Sequence, residues 1–324
     1  MINAQPDHYS QPRISLMFLS IFCFLFSSSK SNALTQEEIA HFQPAIVSEV
    51  APARPLNGRY ELGQYTKGIG ISPFQSQIPS FRGHGNLIAS WNPSGNPQQK
   101  ITFVVLHGGF GIVPADMSRA LWLKKSFDAN VLILDSFWSR GKNENWKTAT
   151  QFGVNMRMLD VIAAGRWLVE NKNVNPQKLF LIGGSQGGWT VLRSFTNDPW
   201  IVRNMQPLYA GGISLWPNCK ADGSSIRPSL GPYFKNIIVF TGGQDTGTPI
   251  SECNLNVFRN AGKWVHYPDA THGWDHANPL RDTRNGDCNT AANPYRPYSV
   301  CRNDTATRDT YKNIEQYVRR TTGN

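Results

Sequence analysis

Apolar residues along this chain fall into short blocks separated by polar stretches that carry glycine and proline. Ile101-Thr102-Phe103-Val104-Val105-Leu106, Val131-Leu132-Ile133-Leu134 and Leu179-Phe180-Leu181-Ile182 are near-continuous apolar runs, the pattern of strands buried on both faces of a sheet. Further strands are expected at Gly212–Leu215, Ile237–Phe240 and Trp264–Val265, with two earlier ones near Arg59–Thr66 and Asn86–Trp91. Between these blocks the apolar period lengthens. Val154, Met158, Val161, Ile162, Gly165, Leu168 and Val169 share one face of a helix over Val154–Asn171. Helices are also expected around Asp116–Phe127, opening at Trp189, and near Arg308–Arg320. Strands alternating with helices predict βαβ units in an α/β domain, with a mainly parallel twisted sheet and helices on both faces. In such sheets reactive groups collect in loops at the carboxyl ends of the strands.

The first apolar block does not belong to that series. Arg13 precedes the thirteen uncharged residues Ile14–Phe26, and Ser31-Asn32-Ala33 puts small residues at positions −3 and −1 of a cleavage site. That order predicts a secretory signal peptide over residues 1–33. As a helix the run would reach about 20 Å, short of a ~30 Å bilayer core; an uncleaved anchor is the competing reading. A polar, proline-bearing segment at 34–57 then leads into a single domain over 58–324. Cleavage removes Cys23 and leaves Cys219, Cys253, Cys288 and Cys301. An even cysteine count in an exported chain, periplasmic or extracellular, reads as two disulfides. The wide gaps between these cysteines do not suit a four-thiolate zinc site.

Composition narrows the function classes. Hydrophobic residues make up 40% of the 324 positions, too few for a polytopic membrane protein. The 10 Trp, 10 Tyr and 17 Phe exclude a disordered chain, because they require burial. The net charge is +10, yet lysines and arginines are scattered without a run. This argues against nucleic acid and for a solvated surface with weak attraction to anionic envelope surfaces.

Three expected strand ends carry the chemistry. Gly183-Gly184-Ser185-Gln186-Gly187-Gly188 follows the Leu179–Ile182 strand and opens a helix, which is the G-x-S-x-G pattern in its strand–turn–helix setting. Gly183 and Gly187 leave room for a strained turn that exposes the Ser185 hydroxyl. The Gln186 N–H would face a developing oxyanion. No lysine follows the glycines as a phosphate loop requires. A serine nucleophile needs a base, and the base needs an orienting carboxylate. Asp245 follows the Ile237–Phe240 strand and His272 follows Trp264–Val265, giving the chain order Ser185, Asp245, His272 of α/β-hydrolases. His266 is the rival base, expected to be packed on its strand, and Asp269 the rival acid, expected to shape the turn. His107-Gly108-Gly109-Phe110-Gly111 follows the first long strand, where Gly109 or Phe110 would supply the second oxyanion N–H.

With these motifs in place, the sequence resembles the dienelactone-hydrolase-like α/β-hydrolases, in their exported bacterial branch. The resemblance runs from about Ile101 to the C-terminus. It rests on Leu106-His107-Gly108-Gly109, Asp135-Ser136-Phe137-Trp138-Ser139-Arg140-Gly141, Gly184-Ser185-Gln186-Gly187-Gly188-Trp189, Trp216-Pro217-Asn218-Cys219, Gly243-Gln244-Asp245-Thr246-Gly247-Thr248-Pro249 with Cys253, and Tyr267-Pro268-Asp269-Ala270-Thr271-His272-Gly273-Trp274-Asp275. The family's dienelactone hydrolases use a cysteine nucleophile where this chain has Ser185. The resemblance implies hydrolysis of a carboxylic ester or lactone by acyl-enzyme chemistry, with Asp245 as the triad acid, a small-molecule substrate and no cofactor. It implies that Asp135 and Arg140 shape the loop beside the site. His272, Asp275 and His276 invite comparison with a metal cluster, but no regular element fixes them in ligand geometry, so no metal is expected. The resemblance and the order of the strands both point to the disulfides Cys219–Cys253 and Cys288–Cys301. The second closes a small ring inside an irregular loop at about 273–305, with Tyr295 and Tyr298 as candidate pocket residues. A serine peptidase or acyltransferase on the same fold, and a non-catalytic envelope-binding protein, are the alternatives.

Overall fold

Eight strands form one sheet, and the two ends of the sheet differ in direction. The computed structural model describes residues 76–81, 86–137, 153–218, 233–235, 237–253, 258, 262–275 and 300–323, all within the unit Ser31–Asn324. The strands are β1 (Ser76–Pro79), β2 (Asn86–Asn92), β3 (Thr102–Leu106), β4 (Asn130–Asp135), β5 (Leu179–Ser185), β6 (Gly211–Pro217), β7 (Ile237–Gly242) and β8 (Gly262–Tyr267). They lie side by side in the order β1-β2-β4-β3-β5-β6-β7-β8. The first two pairings, β1 with β2 and β2 with β4, are antiparallel. From β4 to β8 every pairing is parallel.

The helices are α1 (Pro114–Phe127), α2 (Val154–Lys172), α3 (Gln186–Ser194), α4 (Pro199–Met205) and α5 (Asp304–Thr322). Alternation along the strands divides the core into two layers. Val104, Leu106, Leu132 and Leu134 join Met158, Ile162, Val191, Leu192 and Ile201 from α2, α3 and α4. Phe103, Val105, Val131 and Ile133 join Met117, Ala120 and Leu123 of α1 and Ile314, Tyr317 and Val318 of α5 on the other face. Continuous apolar runs are therefore required in the central strands, because neither face meets water.

The expected strands and helices over the described residues are all present, most of them one to three residues longer than the apolar block alone. Two elements, β1 and α4, are too short to show a period. Helix α2 departs from the one-faced pattern: every residue from Val154 to Gly165 is buried, Arg157 and Asp160 included. Among the described residues no helix is long and apolar enough to cross a membrane. Cys253 and Cys301 are disulfide-bonded. The signal segment 1–33, the strand near Arg59–Thr66, and Arg140, Cys219, His276, Cys288, Tyr295 and Tyr298 lie outside the described residues.

Candidate active site

Ser185 ends β5 and caps α3 with φ 56° and ψ −122°. For a side-chain-bearing residue that conformation costs about 1–3 kcal/mol and persists only where its surroundings enforce it. The enforcement is steric. A Cβ on Gly183 would stand 2.6 Å from the backbone of Gly187, and one on Gly187 would stand 2.5 Å from the Leu106 carbonyl oxygen. The strand, the turn and the end of β3 touch backbone to backbone, so Ser185 is lifted to a partly exposed position. Gln186 is the first residue of α3. Its N–H belongs to the set that a helix leaves without an internal acceptor.

The β3–α1 loop stands against this elbow. A Cβ on Gly108 would lie 3.6 Å from Ser185 Cβ, and a backbone bridge from Gly108 to Gly111 closes a tight turn with Gly109 and Phe110 at its tip. His107 is fully buried. Its Nε2 accepts the Ser136 N–H at 3.1 Å, so the ring is neutral and Nδ1 donates to the Gly108 carbonyl at 2.7 Å. Asp135, 4.0 Å from that Nε2, therefore forms no ion pair with it. It accepts the Phe137 N–H at 3.0 Å. Arg157 donates to the His107 carbonyl at 2.6 Å and to Gln186 Oε1 at 3.2 Å, tying the glycine turn to the start of α3.

Asp245 and His272 come together after β7 and β8. His272 Nδ1 lies 2.9 and 3.1 Å from the two Asp245 carboxylate oxygens, with both residues buried. The carboxylate is itself fixed: Oδ1 accepts the N–H groups of Gly247 at 2.9 Å and Thr248 at 2.7 Å, and Oδ2 accepts the Thr248 hydroxyl at 2.7 Å. A carboxylate that accepts the Nδ1–H selects the tautomer whose Nε2 carries the lone pair. The rivals stand elsewhere. Asp269 is exposed in the turn after β8. His266, expected to be packed, is instead exposed on β8 and bonded through Nδ1 to Thr241 Oγ1 at 3.0 Å. β8 is the edge strand of the sheet, and its outward positions meet solvent.

Beneath His272 lies an ionic group with no clear mark in the sequence. Arg119, fully buried on α1, donates to Asp275 Oδ2 from Nε at 3.0 Å and from a terminal nitrogen at 2.8 Å. It also donates to Asp116 at 3.1 Å. Asp275 Oδ1 accepts the Trp216 indole N–H at 3.1 Å. Burial raises the Asp116 carboxyl to about 6, against the pull of Arg119. Burial works against the Arg119 charge as well, yet Asp275 and Asp116 hold it above its ordinary value. Asp116 and Arg119 are spaced like any solvated helix pair, and only their tertiary partners distinguish them. Asp275 thus serves as an anchor, and among the described residues no group of side chains suits a metal.

No protein-family model and no curated protein matches the chain. Solved structures do. A candidate dienelactone hydrolase from Klebsiella pneumoniae aligns over 77% of this chain and 97% of its own, at 13% identity and TM-score 0.56. The esterase Est2 from Thermogutta terrifontis aligns over 78% and 93%, at 13% identity and TM-score 0.53. The dienelactone hydrolase-like promiscuous phosphotriesterase P91 from metagenomic libraries aligns over 76% and 97%, at 14% identity and TM-score 0.52. Est2 has also been solved phosphorylated by paraoxon, at 15% identity and TM-score 0.51 to this chain. The likeness is one of fold: the chain has the α/β-hydrolase fold.

Proposed function

We propose that the protein is an exported serine hydrolase that cleaves a carboxylic ester or lactone through an acyl-enzyme. The observation that carries this reading is the buried His272–Asp245 pair, 2.9 Å apart, on the same sheet end as a serine held in a strained elbow. Ser185 Oγ attacks the carbonyl carbon while His272 Nε2 takes its proton. The tetrahedral oxyanion is received by the Gln186 N–H and by one N–H from Gly109 or Phe110. Collapse expels the alkoxide, which takes the proton back from His272. Water then repeats the sequence and releases the acid. Asp245 accepts the hydrogen bond from Nδ1–H throughout and stabilises the imidazolium. No cofactor enters the cycle. The named activities of the structural neighbours, esterase and phosphotriesterase, favour ester over peptide substrates.

Paraoxon, which phosphorylates Est2, is the probe of choice. Incubation followed by peptide mass mapping should place a diethylphosphoryl group on Ser185, with loss of p-nitrophenyl acetate hydrolysis in step. Turnover of a peptide anilide faster than the ester would favour the peptidase alternative. An unlabelled, inert protein would favour the envelope-binding one. Export belongs to the same proposal: a secreted chain beginning at Leu34 would establish cleavage after Ala33. So do the disulfides Cys219–Cys253 and Cys288–Cys301, and Tyr295 and Tyr298 as walls of the pocket.

A further inference from the structure

Two side-chain-bearing residues at the carboxyl ends of neighbouring strands have left-handed backbone, Ser185 at φ 56° and Trp216 at φ 35°. The nucleophile elbow accounts for the first alone. Trp216 lies where the β5–β6 register slips: Gly184 pairs with Leu215 and Ser185 with Pro217. Trp216 is therefore the extra residue of a β-bulge, a device that re-aims a side chain. Its indole is turned across Gly184, where a Cβ would meet the ring at 2.1 Å. The ring sits edge-on to the His272 imidazole, with centroids 4.7 Å apart and planes at 68°. Its Nε1–H is held by Asp275, three residues beyond His272, and the Arg119 guanidinium lies 5.7 Å from the ring centroid.

We infer that Trp216 is a positioning residue for the base, its bulged indole clamped by Asp275 and Arg119 so that it fixes the His272 ring beside the elbow. The inference rests on the serine-hydrolase reading for its kinetic consequence and on geometry alone for the clamp. Asp245 and Thr248 hold the Nδ1 side of the imidazole. They restrain rotation about an axis through that contact only weakly, and the indole edge blocks it. The left-handed backbone is tolerated because Asp275 gives the indole N–H a charged acceptor in a buried place. Arg119 holds that acceptor in place through two hydrogen bonds.

Two variants cut the same bond by different routes. Trp216→Phe keeps an aromatic edge near His272 and removes the donor. Asp275→Asn must turn its one amide oxygen to the two Arg119 donors, which leaves its NH2 facing the indole N–H. Each should lower kcat for p-nitrophenyl acetate by about 10- to 100-fold with KM within twofold, and slow paraoxon labelling of Ser185 by the same factor. The double variant should be no worse than the more affected single one, because one contact is lost in all three. Nitrogen NMR of the His272 ring reads the clamp without turnover, and exchange broadening in Trp216→Phe is expected. Unchanged kcat in Trp216→Phe, multiplicative losses in the double variant, or an unaltered His272 signal would overturn the inference. A wild type that is neither labelled nor active overturns the hydrolase reading instead, and the NMR comparison still decides the clamp. Trp216→Phe leaves the Asp275–Arg119 ion pair intact, so misfolding of Asp275→Asn would not end the test.

Discussion

At the scale of single residues the site separates groups that react from groups that hold them. Ser185→Ala should reduce ester turnover by roughly 10⁴-fold or more with the fold intact, and His272→Ala by about as much, since the two act as a unit. Asp245→Asn should be somewhat milder. His266→Ala should stay within about twofold of wild type, because that ring is exposed on the edge strand and bonded to Thr241. Steady-state rates with one acyl ester check all four, and a silent His266 variant beside an active His272 variant would reverse the assignment of the base. The residues proposed to react were legible in the sequence as candidates, because glycine spacing and chain order mark them. Arg119, Arg157 and Trp216 were not. Their roles depend on burial against residues far along the chain, such as Asp275 and His107.

At the scale of elements, the elbow is a three-way backbone contact. Gly187→Ala would push a Cβ to 2.5 Å from the Leu106 carbonyl oxygen, a clash that only backbone movement relieves. We expect a loss of about 1–3 kcal/mol of stability and loss of paraoxon labelling together. Thermal melts and labelling on the same sample test this; a labelled, active variant would show that the elbow does not need that approach. Apolar runs were enough to find β3, β4 and β5, because both faces of the central sheet are covered. The same logic fails at the margins. β1 is four residues long and ends in Pro79, and α4 is a seven-residue helix whose signal is the Asp198 cap with Pro199 after it. Local capping chemistry, and no apolar period, marks that helix.

For the molecule as a whole, the buried group of Asp116, Arg119 and Asp275 sets two carboxyls against one guanidinium. Asp116 rises from 3.8 to about 6 on folding. Because the folded value is the higher one, its proton stabilises the fold at acid pH. That contribution is complete below about 3.8 and is lost as the pH climbs through about 6. The change corresponds to roughly 3 kcal/mol. Asp116→Asn, neutral at every pH, should therefore gain stability relative to wild type between pH 4 and pH 7. Denaturant melts across that range measure it, and a constant difference would contradict it. Non-reducing peptide maps test the covalent frame: a Cys219–Cys288 or Cys219–Cys301 peptide would exclude the proposed pairing.

The sequence by itself determined the strand–helix alternation, the strained serine turn and the order Ser185, Asp245, His272. Each of these is local: a period of apolar residues, a glycine two places away, a loop directly after a strand. The tertiary structure decided which polar residues are buried and what they hold. Asp275 carried no expected role in the sequence, and in the fold its carboxylate anchors an indole. His266 looked packed and is exposed. Trp216 stood in the sequence only as part of the Trp216-Pro217-Asn218-Cys219 motif, and in the fold it is a bulge whose ring packs against His272. Those outcomes follow from strand order and register, which bring together residues tens to more than a hundred positions apart. No short window of sequence contains that information.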